Sequence, residues 1–172
     1  MDTHQHDPDF ECAMCAAGGD GSVVEAQLMT MIKEHGFAVL GIAGEDGSSS
    51  FSYTVGLTFY MWPELIMLGQ IEWSYKMLNV LVEHFRSTGC TPEEGDVVGA
   101  PGLDPDHPIR LRACEVRGDY PLSFAFGFFG FMTRALQVLV PDDDGKYPGD
   151  EGADKTWQVL LPSGLGTSSN WY

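Results

Sequence analysis

Basic residues are scarce. Nine Lys and Arg stand against 25 Asp and Glu, a formal net charge of −16 over 172 residues. A nucleic-acid binder neutralises phosphates with clustered cations. This chain repels phosphates, so direct nucleic-acid binding is not expected. The same sign disfavours anionic membrane surfaces. Long apolar runs are missing too. The longest, Leu122 to Met132, is eleven residues and contains Gly127 and Gly130, whereas a spanning helix needs about 20 apolar residues. Met1 to His6 has neither a basic region nor an apolar run, so no signal peptide is expected and the cytoplasm is the expected location. Cysteine is sparse. In that compartment Cys12, Cys15, Cys90 and Cys114 should be reduced or metal-bound rather than paired in disulfides. What remains, with 44% hydrophobic residues, is the composition of an ordinary globular domain.

Residues 1–21 are polar and irregular and read as an N-terminal arm. From Ser22 the pattern becomes regular. Ser22 with Glu25 forms a capping-box spacing, Val24, Leu28, Met31 and Ile32 recur at helical spacing, and Gly36 is a natural stop, which predicts a helix from Val23 to His35. Phe37–Ile42 reads as a strand. In Phe51–Thr58 the apolar residues Phe51, Tyr53, Val55 and Leu57 alternate with Ser52, Thr54, Gly56 and Thr58, as a half-buried strand requires. Leu65–Leu68 is a further strand. Trp73, Met77, Val80, Leu81 and Phe85 place a second helix over Glu72–Ser87, ending at Gly89. A short strand is expected at Asp96–Val98, then one over Ile109–Val116. Leu122–Met132 fits either period. Ala135–Val140 is nearly continuously apolar, broken by Gln137 alone, as a central strand buried on both faces would be. The expected fold is α+β: a single mixed, largely antiparallel sheet of about five to six strands with two main helices packed on it. The globular domain is expected over 22–161, with a tail at 162–172 that ends in Trp171 and Tyr172. That aromatic pair could fill a pocket on a neighbouring chain, which leaves a homo-oligomer open.

Five segments together resemble a known family. They are Glu34-His35-Gly36-Phe37-Ala38-Val39, Phe51-Ser52-Tyr53-Thr54-Val55-Gly56-Leu57, Pro63-Glu64-Leu65-Ile66, Arg134-Ala135-Leu136-Gln137-Val138, and Pro141-Asp142 with Asp144-Gly145 and Pro148. The pattern is similar to that of a bacterial and phage domain family of unknown function, in the four-thousands series. In it a helix leads to an hGWxV strand, then YTVGL, HPEL and ALQVVWPD strands. The resemblance covers about residues 22–150, and the N-terminal Cys-x-x-Cys looks like the start of some members. It implies a short helix within Leu122–Met132 but carries over no activity. Members usually have Gly-His before Pro-Glu-Leu. This chain has Met61-Trp62, so any role of that histidine is missing or taken by another group.

Several constellations could carry chemistry. Cys12-x-x-Cys15 with His4 and His6 offers four ligands of the types that hold zinc tetrahedrally, but the spacing is permissive rather than diagnostic. A redox dithiol and an incidental pair are the competing readings. Arg110 and Arg112 share one face of their strand and, with Arg134, suggest an anion site, because guanidinium binds carboxylate or phosphate bidentately. Salt bridging to internal acids competes with that reading. Tyr53, Thr54, Thr58, His107 and Gln137 are candidate pocket residues. Gly56 would let a backbone or a ligand approach closely, and Gln137 in an apolar strand needs a partner because an unpaired buried amide costs about 1–3 kcal/mol. The acids at Asp142, Asp143, Asp144, Asp150, Glu151 and Asp154 lack the spacing of a calcium loop and read as a solvated turn.

Three function classes follow. The first is an interaction or inhibitor protein that binds a basic surface of a protein partner, its charge speeding association. The second is a small-molecule or modifying enzyme using the Arg-lined face. The third is a zinc-stabilised binding module.

Overall fold

The computed structural model describes residues 20–43, 50–99, 108–115, 122–154 and 158–163. Helix α1 spans Gly21–His35. Its cap is Asp20, whose carboxylate accepts from the Ser22 N–H at 2.9 Å, so the expected Ser22 cap moves two residues earlier and Gly21 belongs to the helix rather than to the arm. Gly36 ends it at φ 85°, a left-handed conformation that glycine adopts without a Cβ clash. Strands β1 (Ala38–Ile42) and β2 (Phe51–Val55) form an antiparallel pair. Strand β3 (Glu64–Leu68) pairs antiparallel with β2. Helix α2 (Ile71–Thr88) follows, then β4 (Val97–Val98), β5 (Ile109–Cys114), the short helix α3 (Ser123–Phe129) and β6 (Ala135–Leu139).

The six strands make one mixed sheet in the order β1-β2-β3-β6-β5-β4. Among the described strands only β3 and β6 run parallel, at its centre, and both are apolar enough to be covered on two sides. The pleat sends alternate residues to opposite faces. Leu65, Met67, Leu111, Leu136 and Val138 meet Leu78, Leu81, Val82 and Phe85 of α2. Ala38, Leu40, Phe51, Tyr53, Val55, Ile66 and Ala135 meet Val24, Leu28 and Ile32 of α1 and Ala125 and Phe129 of α3. The small side of β2 is therefore packed too: Ser74 Oγ of α2 donates to Ser52 Oγ at 2.8 Å.

The alternation in Phe51–Thr58 does not continue as one strand. It breaks at Gly56, φ 116°, and Leu57 joins the α2 side of the core while Phe51, Tyr53 and Val55 face α1. A Cβ at Gly56 would lie 3.1 Å from Phe37 Cα and 3.2 Å from Gly36 O. What approaches this glycine is another backbone. Strand β5 also stops at Cys114 instead of Val116. After the β6 loop, residues 158–161 return across the sheet. Gln137 Nε2 donates to Val159 O at 2.6 Å, Leu161 N–H donates to Gln137 Oε1 at 2.9 Å, and Arg112 Nη1 donates to Leu161 O at 2.7 Å. The strap leaves beside the end of β5, where Glu115 N–H donates to Pro162 O.

Candidate functional site

One buried carboxylate organises the end of the sheet where four of the five motifs converge, the Pro141–Pro148 segment lying beyond the other end of β6. Glu64 opens β3 with no exposed surface. Its Oε2 accepts from Thr54 Oγ1 at 2.7 Å. Its Oε1 accepts from Gly56 N–H at 3.1 Å, Thr58 N–H at 2.9 Å and Thr58 Oγ1 at 2.9 Å. Thr54 Oγ1 in turn accepts from Leu65 N–H at 2.8 Å. Burial still pushes the carboxyl above the usual carboxylate range, against the pull of these four donors. The bonds tie the turn after β2 back onto β3, so the 3-10 turn Leu57–Tyr60 has a fixed direction.

That turn delivers apolar side chains into solvent. Phe59, Tyr60 and Met61 are 60, 52 and 75% exposed. Met61 lies at φ 61°, among the described residues the one non-glycine with positive φ. It occupies the place where the resembled pattern carries glycine. Beside the turn, the segment after α3 shows Phe131 at 95% and Met132 at 56% exposure. The two segments are joined. Phe59 packs edge-on against Phe129 at 4.8 Å, Arg134 Nη2 donates to Met61 O at 2.8 Å, and Glu64 N–H donates to Arg134 O at 2.8 Å.

A depression lies on either side of this apolar crest. One, of about 530 Å³, is lined by Lys33, Glu34, His35, Gly36, Tyr60, Trp62 and Arg86. Arg86 stacks over the Phe37 ring at 4.7 Å and pairs with Glu83 at 3.2 Å. A side chain at Gly36 would displace the tips of Tyr60 and Arg86, but it is the left-handed backbone, φ 85°, that favours glycine there. Trp62, which stands where the resembled pattern has histidine, forms part of this wall and lies 6.5 Å from the Tyr60 ring. The other depression is a groove of about 660 Å³ between the starts of β3 and β6 and the end of β5.

The structure does not gather the three sequence-selected arginines into one site. Arg110 stacks on Tyr147 at 3.9 Å and lies 3.5 Å from Asp150 Oδ1. Arg112 holds the strap, and Arg134 holds the Met61 carbonyl. Thr54 and Thr58 do meet, both on Glu64. Tyr53 lies on the opposite face, in the core against α1 and α3. Its hydroxyl accepts from Phe124 N–H at 3.4 Å, and burial pushes the phenol up to about 12. Gln137 is satisfied by the strap rather than by a ligand. His107 and the candidate zinc ligands His4, His6, Cys12 and Cys15 lie outside the described residues, as do Trp171 and Tyr172. Among the described residues, no group of three or more His, Cys, Asp or Glu is placed to hold a metal ion, and no helix is long and apolar enough to cross a membrane.

The turn 142–154 is more than solvated acid. Asp142 is 8% exposed, and its carboxylate accepts N–H bonds from Asp144, Lys146 and Asp154. The Asp154 and Lys146 amides chiefly hold its pKa below the usual carboxylate range. Sequence reasoning missed Glu64, Phe59, Met61, Phe131 and Met132 as site residues. The signal for Glu64 was available: a lone acid opening the apolar strand Glu-Leu-Ile-Met-Leu needs a partner for the same reason as Gln137.

No curated protein matches the chain, and no solved structure does. The model of one family does match, over residues 31–154, and it takes in β1 to β6, Glu64 with its donors, and the exposed crest. The chain belongs to that family, the domain of unknown function DUF4262.

Proposed function

We propose that the chain is an interaction module, of binding or inhibitor type, that docks a basic protein partner through the apolar end of its sheet. The observation that carries this reading is the exposure of Phe59, Tyr60, Met61, Phe131 and Met132, each more than half exposed, on two segments joined by the Phe59–Phe129 ring contact and the Arg134–Met61 hydrogen bond. Soluble proteins rarely leave so many large apolar side chains together in water without a use for them. Aromatics and Met are also the residues enriched at interface centres. The net charge of −16 selects for a basic partner and speeds its encounter. The internal engagement of Arg110, Arg112 and Arg134 supports docking over an anion site on the sheet.

The test is a photo-crosslinking amino acid at position 131 of the full chain, compared with one at Val159, which is 61% exposed and belongs to the 158–161 strap rather than to the crest. A discrete adduct from 131, lost in high salt and lost when Met61 and Met132 are changed to Ser, is the expected result. Equal crosslinking from both positions, or adducts indifferent to salt, would refute it.

A further inference from the structure

The charges around the crest are not symmetric, and this says how a partner must lie. On the depression side, Glu34 and Glu83 are matched by Lys33 and Arg86. Among the described residues, the groove side is lined by the exposed Glu93 and Glu94, while Arg134, the cation of its lining, has its Nη2 already turned to the Met61 carbonyl. Glu93 and Glu94 are exposed and stand on a rigid turn. Glu93 N–H donates to Asp96 Oδ2 at 2.9 Å, Asp96 N–H to Glu93 O at 3.2 Å, and Gly95 N–H to Leu111 O at 2.9 Å. The groove begins where the crest ends: Pro63 and Thr133 line it, Met132 comes immediately before Thr133, and Met61 comes two residues before Pro63.

From this arrangement, and resting on the docking reading above, we infer that the partner presents an amphipathic basic segment. Its apolar residues cover Met61, Phe131 and Met132, and its Lys or Arg side chains enter the groove beside Glu93 and Glu94. A partner lying the other way would set its cations against Lys33 and Arg86. An acidic or purely polar segment would meet either like charge or an unpaired apolar surface. Pro63 and Leu136 line the groove beside Glu93 and Glu94, so the apolar stems of Lys or Arg would lie along the first pair and their charged ends at the second.

The probe is a synthetic amphipathic helix of Leu and Lys, titrated into the full chain by calorimetry, with a Leu/Glu helix as control. The wild type should bind the first and not the second. Glu93→Gln with Glu94→Gln should weaken binding about three- to tenfold, the range for losing two exposed charge pairs. Phe131→Ser with Met132→Ser should weaken it more than tenfold. Asp143→Asn with Glu151→Gln, in the acidic loop beyond the opposite end of β6, should leave it unchanged. If the serine pair abolishes binding but the Glu93/Glu94 pair has no effect, the inferred orientation falls and the docking reading stands. If neither pair matters, or the wild type does not bind the Leu/Lys helix, both fall. If the Asp143/Glu151 pair weakens binding as much as the Glu93/Glu94 pair, the attraction is general and the inference is overturned.

Discussion

Glu64→Leu is the substitution that most directly tests the account of the site. Leucine fills a similar volume but accepts nothing. Gly56 N–H, Thr58 N–H, Thr58 Oγ1 and Thr54 Oγ1 all lose their acceptor. The hydroxyls can rotate, whereas the two backbone N–H groups cannot turn away. Each stranded buried donor costs about 1–3 kcal/mol, so the backbone pair alone gives roughly 2–6 kcal/mol. That is a large share of the roughly 5–15 kcal/mol that holds an ordinary domain together. Glu64→Gln should lose less than half as much. Its Oε1 can keep three donors, its Nε2–H can donate to Thr54 Oγ1, and the cost of burying a charge disappears. Urea unfolding followed by tryptophan fluorescence measures both. The pH dependence supplies a second reading. The folded carboxyl is held above its ordinary value by burial, so the native state binds the proton more tightly than the unfolded chain. Its stabilising effect is complete below the ordinary value of about 4.3 and is lost as pH rises through the folded value. Glu64→Gln should remove that decline. A loss below about 1 kcal/mol for Glu64→Leu, less than one stranded donor, would refute the reasoning, as would a Gln variant no better than the Leu one.

Met61→Gly should leave stability nearly unchanged, because relief of a left-handed residue, about 1–2 kcal/mol, is offset by glycine's greater freedom when unfolded, about 0.5–1 kcal/mol, and by the lost contact of a side chain one-quarter buried. Binding of the Leu/Lys helix should nevertheless fall, and an unfolding titration beside the calorimetry separates the two effects. Gln137→Leu strands the Leu161 N–H and should cost about 1–3 kcal/mol. The diagnostic readout is faster hydrogen exchange at Leu161, with β1 and β2 still protected. Asp142→Asn should destabilise the chain at neutral pH and flatten its acid unfolding. The folded Asp142 carboxyl is depressed by backbone donors, so its stabilisation is present above the ordinary Asp value and lost as pH falls through the folded one; acid titrations of both proteins by circular dichroism check this.

Much of the fold was legible because its signals are local. Helical spacing in Val24, Leu28 and Ile32 and in Met77, Leu81 and Phe85 located α1 and α2, and left-handed glycines ended both. The apolar run at Ala135 marked the central strand. The candidate site was less legible. The exposure of Phe131 or Met61 depends on what the rest of the chain covers, and neither residue carries that in its own neighbourhood. Alternation in Phe51–Thr58 misled for a related reason: Gly56 turns the chain so that Leu57 enters the other core layer, and the turn is imposed by Glu64, which comes eight residues later in the chain.

The sequence by itself therefore determined the acidic character, the class of fold, the order of its elements and the family, all properties of spacing and composition. Tertiary structure decided which faces of the sheet were covered and that β3 would lie parallel to β6. It also committed Arg110, Arg112 and Arg134 to three separate internal partners. Above all, it brought a buried carboxylate, two turns and five apolar side chains to one end of the sheet. Those outcomes depend on contacts between residues far apart in the chain, and local pattern cannot encode which of many such contacts fills space and satisfies every buried polar group.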